Sequence, residues 1–251
     1  MPEHQALKDQ VILVTGAGSG LGRAIARGAA RQGATLILVG RKTEALEQVY
    51  DEIEADGSPQ PAIYPLNLES AAEQEYQALA DIIDQEFGAL HGLVHCAAQL
   101  KLLSRIDDYD TETWNSLLRL NLTAPFLLTQ ACLPLLRAAY SASVIFVSDQ
   151  LGRKAKAYWG AYAVSKFGLE GLMQVLAEEL EQSRVRVNSV NPGSMRTKFR
   201  FTAYPGEDAS QWPEPEQIAP FFLRLLGPEG QGIHGQALDA QAPFPLPLLH
   251  S

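Results

Sequence analysis

The sequence predicts an α/β fold: one doubly wound parallel sheet with helices on both faces. Three features point there. Short, apolar, β-rich runs alternate with longer amphipathic stretches along most of the chain, the signature of repeated strand–helix units. The first run ends in a glycine-rich turn that leads straight into a helical pattern. No linker, composition shift or internal repeat divides the 251 residues, so residues 1–251 are expected to form a single domain.

Residues 11–14, 35–39, 92–95, 144–147 and 185–190 read as strands. Each is short and bounded by Gly, Asn or Ser, and strands buried on both faces need not alternate in polarity. Residues 62–66 are a weaker strand, framed by Pro61 and Pro65. Residues 21–32 carry apolar positions at helical spacing and stop at Gly33; residues 43–55 start at Thr43 and stop near Gly57. Residues 71–87 read as the next helix. Residues 111–139 read as a long helix that Pro125 and Pro134 should kink or break. Residues 159–181 are long, alanine-rich and amphipathic. The stretch 192–215, with its prolines and aromatics, is expected to be a substrate loop with room for a short helix. In the apolar tail 241–251, Leu246, Leu248 and Leu249 are expected to pack against a neighbour.

Composition excludes several function classes. The net charge is −9, which argues against nucleic acid or an anionic membrane as the main partner. The apolar runs are far shorter than the roughly 18 residues a membrane span needs. Cys96 and Cys132 are too few for a disulfide framework, and no Cys/His cluster suggests a metal. Residues 1–10 lack the apolar core of a secretion signal. A soluble cytoplasmic protein is expected.

The first strand runs into Thr15-Gly16-Ala17-Gly18-Ser19-Gly20-Leu21-Gly22. Glycine permits the tight turn and leaves room for a pyrophosphate against the backbone. The helix N-terminus that follows offers free N–H groups to phosphate. A dinucleotide is therefore expected on the turn 16–22.

The Thr-Gly-x-x-x-Gly-x-Gly spacing resembles that of the short-chain dehydrogenase/reductase family, and the resemblance runs from about residue 11 to residue 239. It implies a Rossmann-type fold, a nicotinamide cofactor and a carbonyl or alcohol substrate. It also implies a cofactor site made of Gly16, Ser19, Gly20, Leu21 and Gly22, of Asn67 and Leu68, of Cys96, Ala97 and Ala98, and of Pro192, Gly193 and Thr197 near the nicotinamide carboxamide. A carboxylate at the end of the second strand would bind the ribose 2′-OH of NAD. Gly40 stands there instead, followed by Arg41 and Lys42. A guanidinium suits a 2′-phosphate, so NADP(H) is the preferred cofactor and NAD(H) the alternative. The plainer reading makes Arg41 and Lys42 solvated cations at a helix start.

Tyr162-Ala163-Val164-Ser165-Lys166 matches the family's Tyr-x-x-x-Lys. Positions i and i+4 share a helix face, and a lysine there lowers the tyrosine pKa toward working pH. The resemblance makes Tyr162 the general acid/base, gives Lys166 a hold on the nicotinamide ribose, and has Asn121 position a water in the proton relay.

Two departures stand out. His95-Cys96-Ala97-Ala98 replaces the family's Asn-Asn-Ala-Gly. His95 reads as a core histidine and Cys96 as a small buried hydrophobe. The family's catalytic serine in Ser-x-x-Gly falls on Asp149, with Ser148 one residue early. In a strand that shift points a side chain to the opposite face. A carboxylate about 4 Å from a tyrosinate costs roughly 4 kcal/mol at an effective dielectric near 20, or about three pKa units. Three readings stay open. Asp149 is held protonated and donates to the substrate oxygen; a bulge brings Ser148 into place; or the chain is an NADP(H)-binding sensor or scaffold with weak or absent catalysis.

Arg153, Lys154 and Lys156 could steer an anionic substrate, or form a solvated basic loop. Tyr158, Trp159, Tyr204 and Trp212 are candidates for a pocket wall. The run from Trp159 to Phe167 and the ending Leu238-Asp239-Ala240-Gln241 are similar to 3-oxoacyl-carrier-protein reductases. The anionic substrate that the basic residues could steer includes an acyl group on a carrier protein or coenzyme A, and the family resemblance implies a homodimer or homotetramer built on segments 111–139 and 159–181 and the C-terminal segment.

Overall fold

The apolar runs become β1 (Val11–Thr15), β2 (Thr35–Gly40), β3 (Ala62–Pro65), β4 (Gly92–His95), β5 (Ala142–Val147) and β6 (Val185–Asn191) in the computed structural model, which describes residues 5–245. A short β7 (Ala237–Asp239), which the pattern did not announce, completes the sheet. All neighbours are parallel, in the order β3-β2-β1-β4-β5-β6-β7. The order reverses between β1 and β4, and in such sheets the crevice beyond the strand ends at the reversal is the usual ligand site.

The helices are α1 (Gly20–Arg31), α2 (Thr43–Ala55), α3 (Glu73–Phe87), α4 (Thr111–Leu118), α5 (Ala124–Ala138), α6 (Gly160–Leu180), α7 (Lys198–Ala203) and α8 (Pro215–Leu226). They form two layers, because successive strand residues face opposite sides. Ile12, Val14, Leu36, Leu38 and Ile145 pack with α1, α2 and α8. Leu13, Ile37, Val39, Leu93, Val144 and Phe146 pack with α3, α5 and α6. Full burial of each such aliphatic side chain is worth about 1.5–3 kcal/mol.

The expected long helix 111–139 is two helices joined by a π turn over Arg119–Thr123. Pro125 cannot donate to the Asn121 carbonyl, so the ladder slips one register and the Ala124 N–H bonds to Arg119 O. Pro134, by contrast, is absorbed inside α5. The loop 192–215 holds only the short α7 and one 3₁₀ turn. The sequence reading passed over α8, which begins on Pro215 and carries Pro220 inside. Leu246, Leu248 and Leu249 lie outside the described residues. Among the described residues no helix is long and apolar enough to cross a membrane, and no group of three His, Cys, Asp or Glu is placed to hold a metal.

Candidate active site

A cleft of about 980 Å³ opens over the ends of the central strands. One half is built from backbone. Gly16 and Gly20 have φ of +67° and +53°, the left-handed region that glycine adopts at little cost. A Cβ on Gly22 would collide with the Gly16 carbonyl oxygen, and one on Gly16 would stand 3.0 Å from Ala97 Cα. The glycines thus let the turn close on α1 and on the end of β4. Ser19, the exposed residue before α1, makes no capping bond, and the first turn of α1 has no acidic residue. Its N–H groups and hydroxyl remain available to phosphate. Leu21, Asn67, Leu68, Cys96, Ala97 and Ala98 line the same half, with Arg41 and Lys42 at its rim. Among the described residues the Arg41 side chain makes no hydrogen bond or ion pair, and Gly40 beside it leaves the rim open.

The strand end was underestimated. Thr15 Oγ1 accepts from the Cys96 and Ala97 N–H groups, both at 3.0 Å, and so joins β1 to the end of β4. A β-branched hydroxyl closing a buried strand was the available signal. His95 is 3% exposed, stacks on Phe146 and contacts Thr129 Oγ1 at 2.8 Å; burial lowers its pKa to about 3. Burial likewise pushes the Cys96 thiol up to about 12.

The other half is built from side chains of distant segments. Tyr162 and Lys166 lie one turn apart on α6, both almost fully buried. Asp149 follows β5 in extended geometry, at φ −159° and ψ 155°. The Ser148 N–H bonds to Val190 O at 2.8 Å, continuing the β5–β6 ladder, so the bulge that would carry Ser148 to Tyr162 does not form. Ser148 Oγ is buried without a partner, whereas Asp149 Oδ1 accepts from the Leu151 N–H at 2.8 Å and Oδ2 lies 3.0 Å from the Tyr162 hydroxyl. Asp149 occupies the position expected of a serine.

Two expectations need correction. Lys166 does not bring Tyr162 toward working pH. Burial, then the charge and hydrogen bond of Asp149, push the tyrosine pKa well above 10. Lys166 donates to Val147 O at 2.7 Å, and burial lowers its own pKa against the pull of Asp149. Arg153 is not a free steering cation. It binds Glu170, Asp239 and the Leu238 carbonyl, tying the turn after β5 to α6 and β7.

Asn121 sits in the π turn. Its side chain holds Gln99 through both N–H and C=O, at 2.9 and 3.0 Å, and reaches Ser165 Oγ at 3.3 Å. Pro192 and Gly193 form a turn held by Asn191 Oδ1 and by Gln241, whose amide donates to Pro192 O and Ser194 O. Thr197 caps α7 and approaches the glycine turn: a Cβ on Gly20 would lie 3.6 Å from its methyl. Tyr162, Trp159, Phe199 and Tyr204 pack as one aromatic wall, with neighbouring ring centroids 5.4–6.0 Å apart. Phe199 was overlooked. Tyr158 is instead exposed, and Trp212 stacks on Arg200.

The sequence profile of the short chain dehydrogenase family matches residues 10–207. The chain belongs to this family. The dehydrogenase is 41% identical to the oxidoreductase YciK of Escherichia coli (strain K12) over 96% of its length and 95% of the relative's. A short chain dehydrogenase from Pseudomonas syringae superposes with a TM-score of 0.94 at 47% identity, covering 96% and 98% of the two chains. A third relative, from Escherichia coli CFT073, was solved in complex with NADPH; it is 42% identical, has a TM-score of 0.93, and the match covers 96% and 100%. The dehydrogenase is thus an oxidoreductase of CH–OH groups that works with NAD(P).

Proposed function

We propose that the chain is an NADP(H)-dependent oxidoreductase of carbonyl and alcohol compounds with Tyr162 as general acid/base. The observation that carries the reading is the Tyr162 hydroxyl, buried in the cleft, 3.0 Å from Asp149 and one helical turn from Lys166. The site fits a dinucleotide: Gly16 and Gly22 leave no room for a Cβ, Ser19 makes no capping bond, and among the described residues Arg41 has no partner to compete with a 2′-phosphate. The bound nicotinamide would supply or accept the hydride. Gly193 and Thr197 would border its carboxamide end, and Lys166 its ribose.

Tyr162 gives its proton to the carbonyl oxygen in reduction and takes it back in oxidation. Its raised pKa keeps it protonated across neutral pH. Asp149 holds the hydroxyl in place of a serine. Asn121 fixes the segment at Gln99 against α6. The same Tyr162–Asp149 bond favours a second reading, a cofactor-bound sensor with its acid sequestered. Titration of NADPH and NADH by fluorescence, followed by a carbonyl screen with Tyr162→Phe as control, separates the two. NADPH oxidation that vanishes in the variant supports the enzyme. Tight NADPH binding without Tyr162-dependent turnover supports the sensor, and failure to bind either cofactor overturns both.

We also infer a homodimer on α5 and α6. Val164, Phe167, Gly171 and Val175 form an exposed stripe on α6, and Phe126 of α5 is exposed as well. A stripe at this spacing is what a packed helix pair needs. Sedimentation of Phe167→Glu should show a monomer; an unchanged particle would refute this interface.

A further inference from the structure

The cleft has a charge pattern opposite to that of the chain. Seven of its lining side chains are cationic (Arg41, Lys42, Lys154, Lys156, Lys166, Lys198 and Arg200), and one, Asp149, is a carboxylate; the whole chain carries −9. Arg41 and Lys42 belong to the cofactor rim and Lys166 to the buried centre. Arg200 is engaged by Glu207 through two hydrogen bonds. Lys154, Lys156 and, at the start of α7, Lys198 remain, and the first two share one segment. Both are exposed, both line the cleft, and among the described residues neither ammonium forms an ion pair or hydrogen bond. They lie between the 3₁₀ turn at Gln150–Gly152 and Trp159, on the substrate side.

Their segment is held. Lys154 N–H bonds to Gln150 O at 2.9 Å, and Tyr158 O accepts from the Ser104 N–H at 3.0 Å. Tyr158 itself has φ of +75°, a conformation a bulky residue adopts only where its surroundings impose it. Leu151, Trp159, Phe199 and Tyr204 line the same cleft and form an apolar cluster with Tyr162.

We propose that the substrate is an amphiphilic carbonyl or alcohol compound: an apolar, ring-sized body carrying the reacting carbon, with a carboxylate or phosphate at its far end held by Lys154 and Lys156. This rests on the reading of the cleft as a carbonyl-reducing site and adds its selectivity. Asp149 repels an anionic end from Tyr162 while the lysines attract it. The charges therefore set the direction of entry, and the aromatic wall fits the body.

Calorimetry on the NADP⁺-loaded protein tests the site without turnover, using naphthoate, naphthyl phosphate and the uncharged naphthamide. At least one anion should bind about tenfold more tightly than the amide. The preference should fade at about 0.5 M salt, where screening reaches across a few ångströms, and disappear in Lys154→Ala/Lys156→Ala. Charge reversal to Lys154→Glu/Lys156→Glu should disfavour the anions, with an unchanged denaturation midpoint as proof of folding. Equal binding of amide and anions, no binding of any probe, or a preference that survives in the double variant overturns the proposal. A loss of Tyr162-dependent turnover on every carbonyl, with the anion preference intact, would instead overturn the catalytic reading alone.

Discussion

The two halves of the cleft are built on different principles. The cofactor half, from Gly16 to Gly22 with Arg41 at its rim, is mostly backbone drawn from one continuous β1–α1–β2 unit. Its geometry follows from Gly22, where a Cβ would collide with the Gly16 carbonyl, and from the positive φ of Gly16 and Gly20. The substrate half gathers Asp149, Tyr162, Phe199 and Asn121 from four separate segments, and its chemistry depends on side chains. A backbone site tolerates little change and is legible locally. A side-chain site depends on single residues far apart in sequence, and here a carboxylate stands against the Tyr162 hydroxyl.

Substitutions in each half should separate accordingly. The largest effect is expected from Gly22→Ala, whose Cβ would meet the Gly16 carbonyl. Overpacking of this kind costs about 1–3 kcal/mol, so a lower denaturation midpoint should accompany loss of NADPH binding; a variant with unchanged cofactor affinity would break the backbone half of the comparison. Tyr162→Phe should leave NADPH affinity and stability intact and reduce turnover by on the order of 10²–10⁴, measured by NADPH oxidation. Arg41→Ala should weaken NADPH by roughly ten- to a hundredfold, the value of a charge-assisted hydrogen bond, while NADH affinity stays unchanged.

The subtlest expectation concerns pH. Burial and Asp149 raise the Tyr162 pKa well above 10. The protonated donor therefore persists through neutral pH, and carbonyl reduction should stay flat there. Alcohol oxidation needs the deprotonated base, so its rate should still be climbing at pH 10. Asp149→Ser removes the charge and the charged acceptor but not the burial, and should move that rise to lower pH, by up to about three units for a like charge near 4 Å. A profile of alcohol oxidation that does not move would show that Asp149 exerts no electrostatic effect on Tyr162.

Legibility followed range. The strands β1, β2, β4, β5 and β6 and the helices α1, α2, α3 and α6 were visible because each is a contiguous hydrophobic pattern. Helix α8 was passed over amid its prolines, although Pro215 at its start is a helix signal. Three residues of β7 are too few for a pattern and exist because β6 offers them a ladder. The break between α4 and α5 was foreseen from Pro125, but the π turn that places Asn121 toward Gln99 and Ser165 was not. Arg153 read as free because its partners, Glu170 and Asp239, lie far along the chain.

By itself the sequence determined the sheet class, the glycine turn at Gly16–Gly22, the cations Arg41 and Lys42 after β2 and the pairing of Tyr162 with Lys166 on one helix face. All of these are set by neighbours within a few residues, through glycine's conformational freedom and the period of the helix. Only the tertiary structure decided between Ser148 and Asp149, because that choice depends on whether β5 keeps its register against β6. It also set the Asp149 carboxylate against a buried Tyr162 hydroxyl, so that burial and the facing charge raise the tyrosine pKa; the charge was legible in the sequence, the burial was not.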